Sequence, residues 1–186
     1  WFKVPETILV RLEGRAPAGV YSKDVMLALA SQLGMDGATY KSLEFAGSYI
    51  DNLPANQRIV FSNMSVELGA KCGLIAPDQI TLDYLAAETK AQPPFEQFTA
   101  VNPVYERVIT IDVSQLQPMV ACHPDVDNVK PLSEVAGLEI DQVYLGTCTN
   151  ARYEDLEIAA GILKGRQVSR FTRTLVTPAS QTIYEK

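Results

Sequence analysis

Along Thr7–Glu13 apolar and polar side chains alternate, with Ile8, Val10 and Leu12 on one side, the period-two pattern of a half-buried strand. Gly14, Pro17 and Gly19 break that run, and the period then lengthens. Val25, Leu29 and Leu33 recur every four residues between Ser22, a candidate N-cap, and Gly34, a helix-ending glycine. Asp36-Gly37 marks a turn, and residues 39–45 read as a second strand. A strand, a helix and a strand in that order predict α/β layering.

The pattern continues in the same style. Residues 57–71 read as one helix stopped by Gly73, followed by a short buried strand near Leu74 and Ile75. Residues 80–87 predict a short helix, and residues 91–103, with Pro93, Pro94 and Pro103, predict a loop. Residues 104–113 alternate most clearly of all. Residues 114–130 carry two prolines and the single histidine and read as a connection between subdomains. A helical turn at 132–135, a strand at 141–146, a helix at 153–164 closed by Gly165 and a strand at 173–176 follow, with Ser180 capping a last helix. The expected architecture is two α/β units, 1–117 and 118–186, mostly parallel sheets flanked by helices.

Composition narrows the function classes. The 186 residues are 47% apolar and 20% charged, which is globular rather than disordered. A net charge of −6 without a run of lysines or arginines argues against nucleic-acid binding. No apolar stretch reaches the length of a membrane span and no signal-peptide pattern opens the chain. Cys72, Cys122 and Cys148 lie far apart with no CxxC, which suits a reducing compartment, the cytoplasm, and gives no zinc signature. The chain starts at Trp1 and stops just after an apparent helix start, so an internal fragment is expected.

Two stretches carry candidate chemistry. Val143 and Leu145 form a strand, Gly146 permits a sharp turn, and Cys148 follows it, with Thr149 or Asn150 placed to cap the next helix. Backbone N–H groups and a helix start beside Cys148 would favour the thiolate, the form a metal or an iron–sulfur cluster needs. A small, inert side chain packed in a turn is the other reading. Asn63 and Glu67 are four residues apart, on one face of the helix read there, and could reach one small ligand together. With Met64, Val66 and Leu68 around it, Glu67 is expected to be buried and in need of a partner. Cys122 beside His123 points away from its neighbour in extended chain, and Asp125, Asp127 and Asn128 lack the closing glutamate of a calcium loop.

Gly146-Thr147-Cys148-Thr149-Asn150 with Tyr153-Glu154-Asp155, and Asn63-Met64-Ser65-Val66-Glu67-Leu68-Gly69-Ala70, together resemble the aconitase and isopropylmalate dehydratase family. Asp36-Gly37-Ala38-Thr39-Tyr40-Lys41, Glu44-Phe45 with Gly47, and Asp127-Asn128-Val129-Lys130-Pro131 resemble its large-subunit branch, which includes homoaconitase. The resemblance implies two partial three-layer α/β units. It also implies a [4Fe–4S] cluster with Cys148 as one metal ligand and Asn150 as a neighbouring cofactor contact. Asn63 and Glu67 would be catalytic residues facing the substrate, turned with Cys148 toward a shared cleft. The implied reaction isomerises a hydroxy di- or tricarboxylic acid, 3-isopropylmalate first, by removing and returning water. Implied partners are a swivelling small subunit, the remaining domains of the same subunit, and the carboxylic acid substrate. The family's other two cluster cysteines form a CxxC that this sequence lacks. The chain by itself is therefore expected to hold no cluster and to be inactive. A non-enzymatic α/β binding module is the alternative of another class, and a Cys148–His123 enzyme a third.

Overall fold

Strand β1 (Thr7–Glu13) runs parallel between β2 (Ser42–Ala46) and β4 (Arg107–Asp112), and β3 (Cys72–Ile75) pairs outside β2, so the sheet order is β3-β2-β1-β4. The computed structural model describes residues 1–89 and 101–186; most of the loop expected at 91–103 lies outside the described residues. Ile8, Val10 and Leu12 are fully buried, as the alternation requires, and stand beside Leu43, Phe45 and Ile111 on neighbouring strands. Helices α1 (Ser22–Leu33) and α3 (Ala55–Met64), connected through β2 and α2 (Ser48–Asp51), close this face with Val25, Leu29, Val60 and Phe61. Phe61 meets Phe45 at 5.1 Å between ring centroids and Tyr49 at 6.4 Å.

Helix α4 (Gln79–Thr89) follows β3, and a hairpin of β5 (Met119–Ala121) and β6 (Val129–Pro131) leads into α5 (Leu132–Val135). The hairpin belongs to the first of two compact units, Trp1–Val135. Met119 donates its N–H to Asp24 on α1 at 2.7 Å, and Met119, Val126 and Val129 pack on the core. Residues 118–135, placed with the second unit on sequence grounds, thus pack with the first. The attachment is long-range and leaves no local signature.

The second unit, Ala136–Lys186, is one β–α–β crossover. Parallel strands β7 (Gln142–Gly146) and β8 (Arg173–Thr177) are linked by α6 (Tyr153–Leu163), and α7 (Gln181–Tyr184) ends the chain. Ser180 caps α7 as expected, its Oγ accepting from the Ile183 N–H at 3.2 Å.

Several boundaries moved. The N-cap of α1 is Tyr21, whose N–H is taken by the Asp24 carboxylate at 2.8 Å, while Ser22 sits buried inside the helix. Strand β2 begins at Ser42 because residues 38–41 form turns, with Tyr40 at φ 59°. The helix expected over 57–71 ends at Met64, tightens into a 3₁₀ turn at Ser65–Leu68, and is stopped by Gly69 at φ 80° rather than Gly73. A Cβ on Gly69 would lie 2.9 Å from the Thr39 hydroxyl, so the stop is steric as well as conformational. Strand β3 is an edge strand and Leu74 is half exposed, contrary to the buried strand expected there.

Candidate functional site

Asn63 lies in the last turn of α3 and is half-buried. Glu67 lies in the 3₁₀ turn that follows and is exposed, which corrects the burial expected of it. The expectation failed because Val66, counted as part of an apolar surround, is itself 66% exposed. The change of pitch at Ser65 also shifts Glu67 out of the four-residue register, by about 20° per residue of 3₁₀ turn. The two side chains therefore stand on one short corner, Asn63 at its inner edge and Glu67 at its outer edge. That corner precedes β3, at the amino ends of the parallel strands, and Ala38 and Tyr40 donate N–H bonds to the Leu68 and Gly69 carbonyls there.

The buried charge in this segment is Arg58, which the sequence reading passed over. It is 5% exposed, its Nε donates to the Leu53 carbonyl at 2.8 Å, and its two terminal nitrogens grip both oxygens of Asp78 at 2.7 and 2.8 Å. The guanidinium holds the Asp78 carboxyl at about 2, below its ordinary 3.8. Asp78 also accepts from the Thr81 N–H, so the pair ties α3 to the start of α4. Preceded by Asn56 and Gln57 on a mixed helix, Arg58 carries no local sign of burial, and its partner, twenty positions on, could not be named from spacing.

Cys148 lies in the turn after β7 that Gly146 predicts, and it is exposed rather than packed into that turn. Gly146 has φ 132° and a Cβ there would meet the Thr177 carbonyl at 2.1 Å, so no other residue fits without moving β8. Thr147 also has positive φ, 126°, and shares a 3.1 Å hydrogen bond with the Thr149 hydroxyl. Helix α6 begins only at Tyr153 with Arg152 as N-cap, its N–H accepted by Asp155 at 3.2 Å. Neither Thr149 nor Asn150 caps it. Asn150 instead turns a buried Oδ1 inward with no hydrogen-bond partner in the structure, and the Nε of Arg152 is buried and unpaired likewise. Cys148 and Asn150 belong to the second unit, Asn63 and Glu67 to the first.

A four-iron cluster needs several thiolates. In the second unit Cys148 is the single cysteine, and among the described residues no group of three or more His, Cys, Asp or Glu side chains could hold a metal ion. The orphaned Asn150 acceptor beside an exposed thiol fits a turn that contributes one ligand to something larger. The residues of this chain do not fit a whole cluster. Elsewhere, Cys122 Sγ lies 3.9 Å from the Val120 carbonyl, and His123 is exposed with its carbonyl accepting from Asn128. Asp127 is drawn into structure, accepting from the Met35 N–H at 3.2 Å.

The aconitase family (aconitate hydratase) matches residues 1–137 and 126–186. Among individual relatives, the chain is 48% identical over 185 residues to 3-isopropylmalate dehydratase large subunit 2 of Archaeoglobus fulgidus. That match covers 99% of this chain and 44% of the relative. It is 46% identical over 187 residues to a probable 3-isopropylmalate dehydratase large subunit of Methanothermobacter thermautotrophicus, covering 100% and 44%. A probable methanogen homoaconitase large subunit of Methanosarcina mazei is 44% identical over 183 residues, covering 98% and 46%. The chain thus spans less than half the length of these relatives.

Proposed function

The chain belongs to the aconitase family, and on that premise we propose that it is the part of a hydro-lyase large subunit that carries the catalytic Asn63 and Glu67 and the cluster ligand Cys148. The supporting observation is the Cys148 turn: an exposed thiol on a strand end locked by Gly146, next to the unpartnered Asn150 oxygen. Cys148 serves as one cluster ligand, with Asn150 beside it, and the other thiolates come from outside this sequence. When bound, a [4Fe–4S] cluster with an open iron supplies Lewis acidity toward a hydroxyl and a carboxylate.

The chain's own groups do simpler work. The Asn63 amide can donate to and accept from a substrate hydroxyl, which fixes orientation. The Glu67 carboxylate, exposed on its corner, accepts or returns a proton on the departing water. The substrate is a hydroxy di- or tricarboxylic acid, with 3-isopropylmalate placed first. Relatives named for homoaconitase stand at nearly the same identity, so a homologous tricarboxylic acid is the second reading. A small swivelling subunit completes the site, and the enzyme works in the cytoplasm. The isolated 186-residue chain is inactive.

The test uses the complete large subunit with its small subunit. Cys148→Ser should strip iron and acid-labile sulfide together. Glu67→Gln should keep both and lower turnover about 10²- to 10⁴-fold. Full iron and sulfide in Cys148→Ser would remove Cys148 from the site, and unchanged turnover in Glu67→Gln would remove Glu67 from the reaction.

A further inference from the structure

Helix α6 (Tyr153–Leu163) has no buried residue, although it links β7 to β8. One side of it, with Leu156 and Ala159, is half-buried. On another, Ile158 and Ile162 stand one turn apart and keep 39% and 62% of their surface exposed. Gly161 lies beside them, and a Cβ there would meet nothing within 4 Å, so the helix backbone is open to close approach.

Charge brackets this apolar step. Glu154 stands four residues before Ile158 and Arg166 four after Ile162, and both are exposed. Arg166 follows the helix, past Gly165 at φ 73°, and its N–H donates to the Leu163 carbonyl at 2.9 Å, which keeps it beside the last turn. Neither side chain makes an ion pair or a hydrogen bond with any described residue. The neighbouring charges follow the same sense. Asp155, near the amino end, accepts from the Arg152 N–H, Glu157 is exposed in the following turn, and Lys164 is exposed at the carboxyl end.

Positions 154, 158, 162 and 166 are thus acid, isoleucine, isoleucine and arginine, a series that is its own complement when reversed. Two copies of α6 laid antiparallel and centred on position 160 set Glu154 of each against Arg166 of the other, and Ile158 against Ile162. A twofold, isologous contact requires that self-complementarity. Antiparallel packing also sets the positive end of each helix dipole beside the negative end of the other. A polyanion would engage the carboxyl end alone and meet Glu154 and Glu157, whereas a second copy uses all four positions. We propose that the exposed face of α6 is a dimer interface whose partner is the same face of a second copy of this chain. A single helix pair is small, so the contact belongs with weak, transient interfaces. It involves neither Cys148 nor the Asn63–Glu67 corner and is tested without turnover, so it stands or falls apart from the hydro-lyase reading.

Sedimentation equilibrium on the 186-residue chain should show monomer at about 5 µM and mostly dimer at about 1 mM, a dissociation constant of about 100 µM. Glu154→Arg and Arg166→Glu each oppose like charges at both ends of the contact, and each should weaken the dimer about tenfold or more. Combined in one chain, the two changes restore opposite charges and should return the affinity to within about threefold of the wild type. Both positions are exposed, and recovery in the combined variant is a result that misfolding does not produce. A wild-type chain that stays monomeric at about 1 mM leaves this face to another part of the larger subunit and overturns the proposal. A dimer unmoved by either single change places the contact elsewhere and overturns it too, as does a combined variant no stronger than the single ones.

Discussion

Both units of this chain are built from β–α–β crossovers, yet their interiors differ sharply. In Trp1–Val135, β1 has a paired strand on each side and two helices across one face, so Ile8, Val10, Leu12, Phe45 and Phe61 are sealed from water. In Ala136–Lys186, β7 and β8 have one partner each, and Tyr144, Ile162 and Val176 keep 52%, 62% and 55% of their surface exposed. Ala151 is the one fully buried apolar residue there among the described residues. The lesson is that periodicity says which face of an element is apolar, whereas burial needs a second layer to close over that face.

A shared device sharpens the contrast. Each unit ends a parallel strand on a glycine of positive φ pressed against the facing strand: Gly47 at φ 110°, where a Cβ would lie 2.3 Å from the Leu12 carbonyl, and Gly146 at φ 132°. The local geometry is alike, but Gly47 opens α2 over a packed core and Gly146 presents an exposed thiol.

The largest expected effect tests the difference in cores. Phe61→Ala should cost about 3–5 kcal/mol in denaturant unfolding, against less than about 1 kcal/mol for Ile162→Ala. Equal costs would mean that the second unit has a core of its own. Next, Gly47→Ala and Gly146→Ala should each destabilise their unit by about 2–4 kcal/mol, from the left-handed backbone and the carbonyl clash together. Read by hydrogen exchange, the first should expose amides of β1 and β2 and the second only those of β7 and β8. Loss of protection in both units from either change would show that they unfold as one.

The smallest effect concerns Arg58–Asp78, the one of the first unit's three ion pairs with a buried arginine; the second unit has no ion pair among its described residues. Asp78→Asn should cost about 1–2 kcal/mol, less than a fully buried pair, because the carboxylate side is 39% exposed. Asp78 titrates lower when folded, at about 2 against 3.8, so its contribution is complete above the unfolded value and fades as pH falls from about 4 toward 2. The wild-type chain should lose stability across that window, and Asp78→Asn should flatten the profile there. An unchanged profile would remove Asp78 as its source.

Much of the fold could be read along the chain. The alternation at residues 7–13 and the fourfold spacing of Val25, Leu29 and Leu33 placed β1 and α1 closely, and Gly146 marked the turn that presents Cys148. The corner bearing Asn63 and Glu67 was legible as a pair but not as a shape. The break from α-helix to 3₁₀ turn answers to Gly69 packing on Thr39, a contact thirty positions apart. The Arg58–Asp78 clasp was hidden for the same reason.

By itself, then, the order of residues determined the element types, the strand-end position of the thiol and the family to which the chain belongs, because these follow from short-range periodicity, glycine conformation and contiguous motifs. Only the tertiary structure decided which charge is buried, that residues 118–135 dock on the first unit and that Glu67 faces water. Each of those outcomes depends on groups distant in sequence competing for the same space and the same hydrogen bonds, and pairings of that kind form only when the layers close.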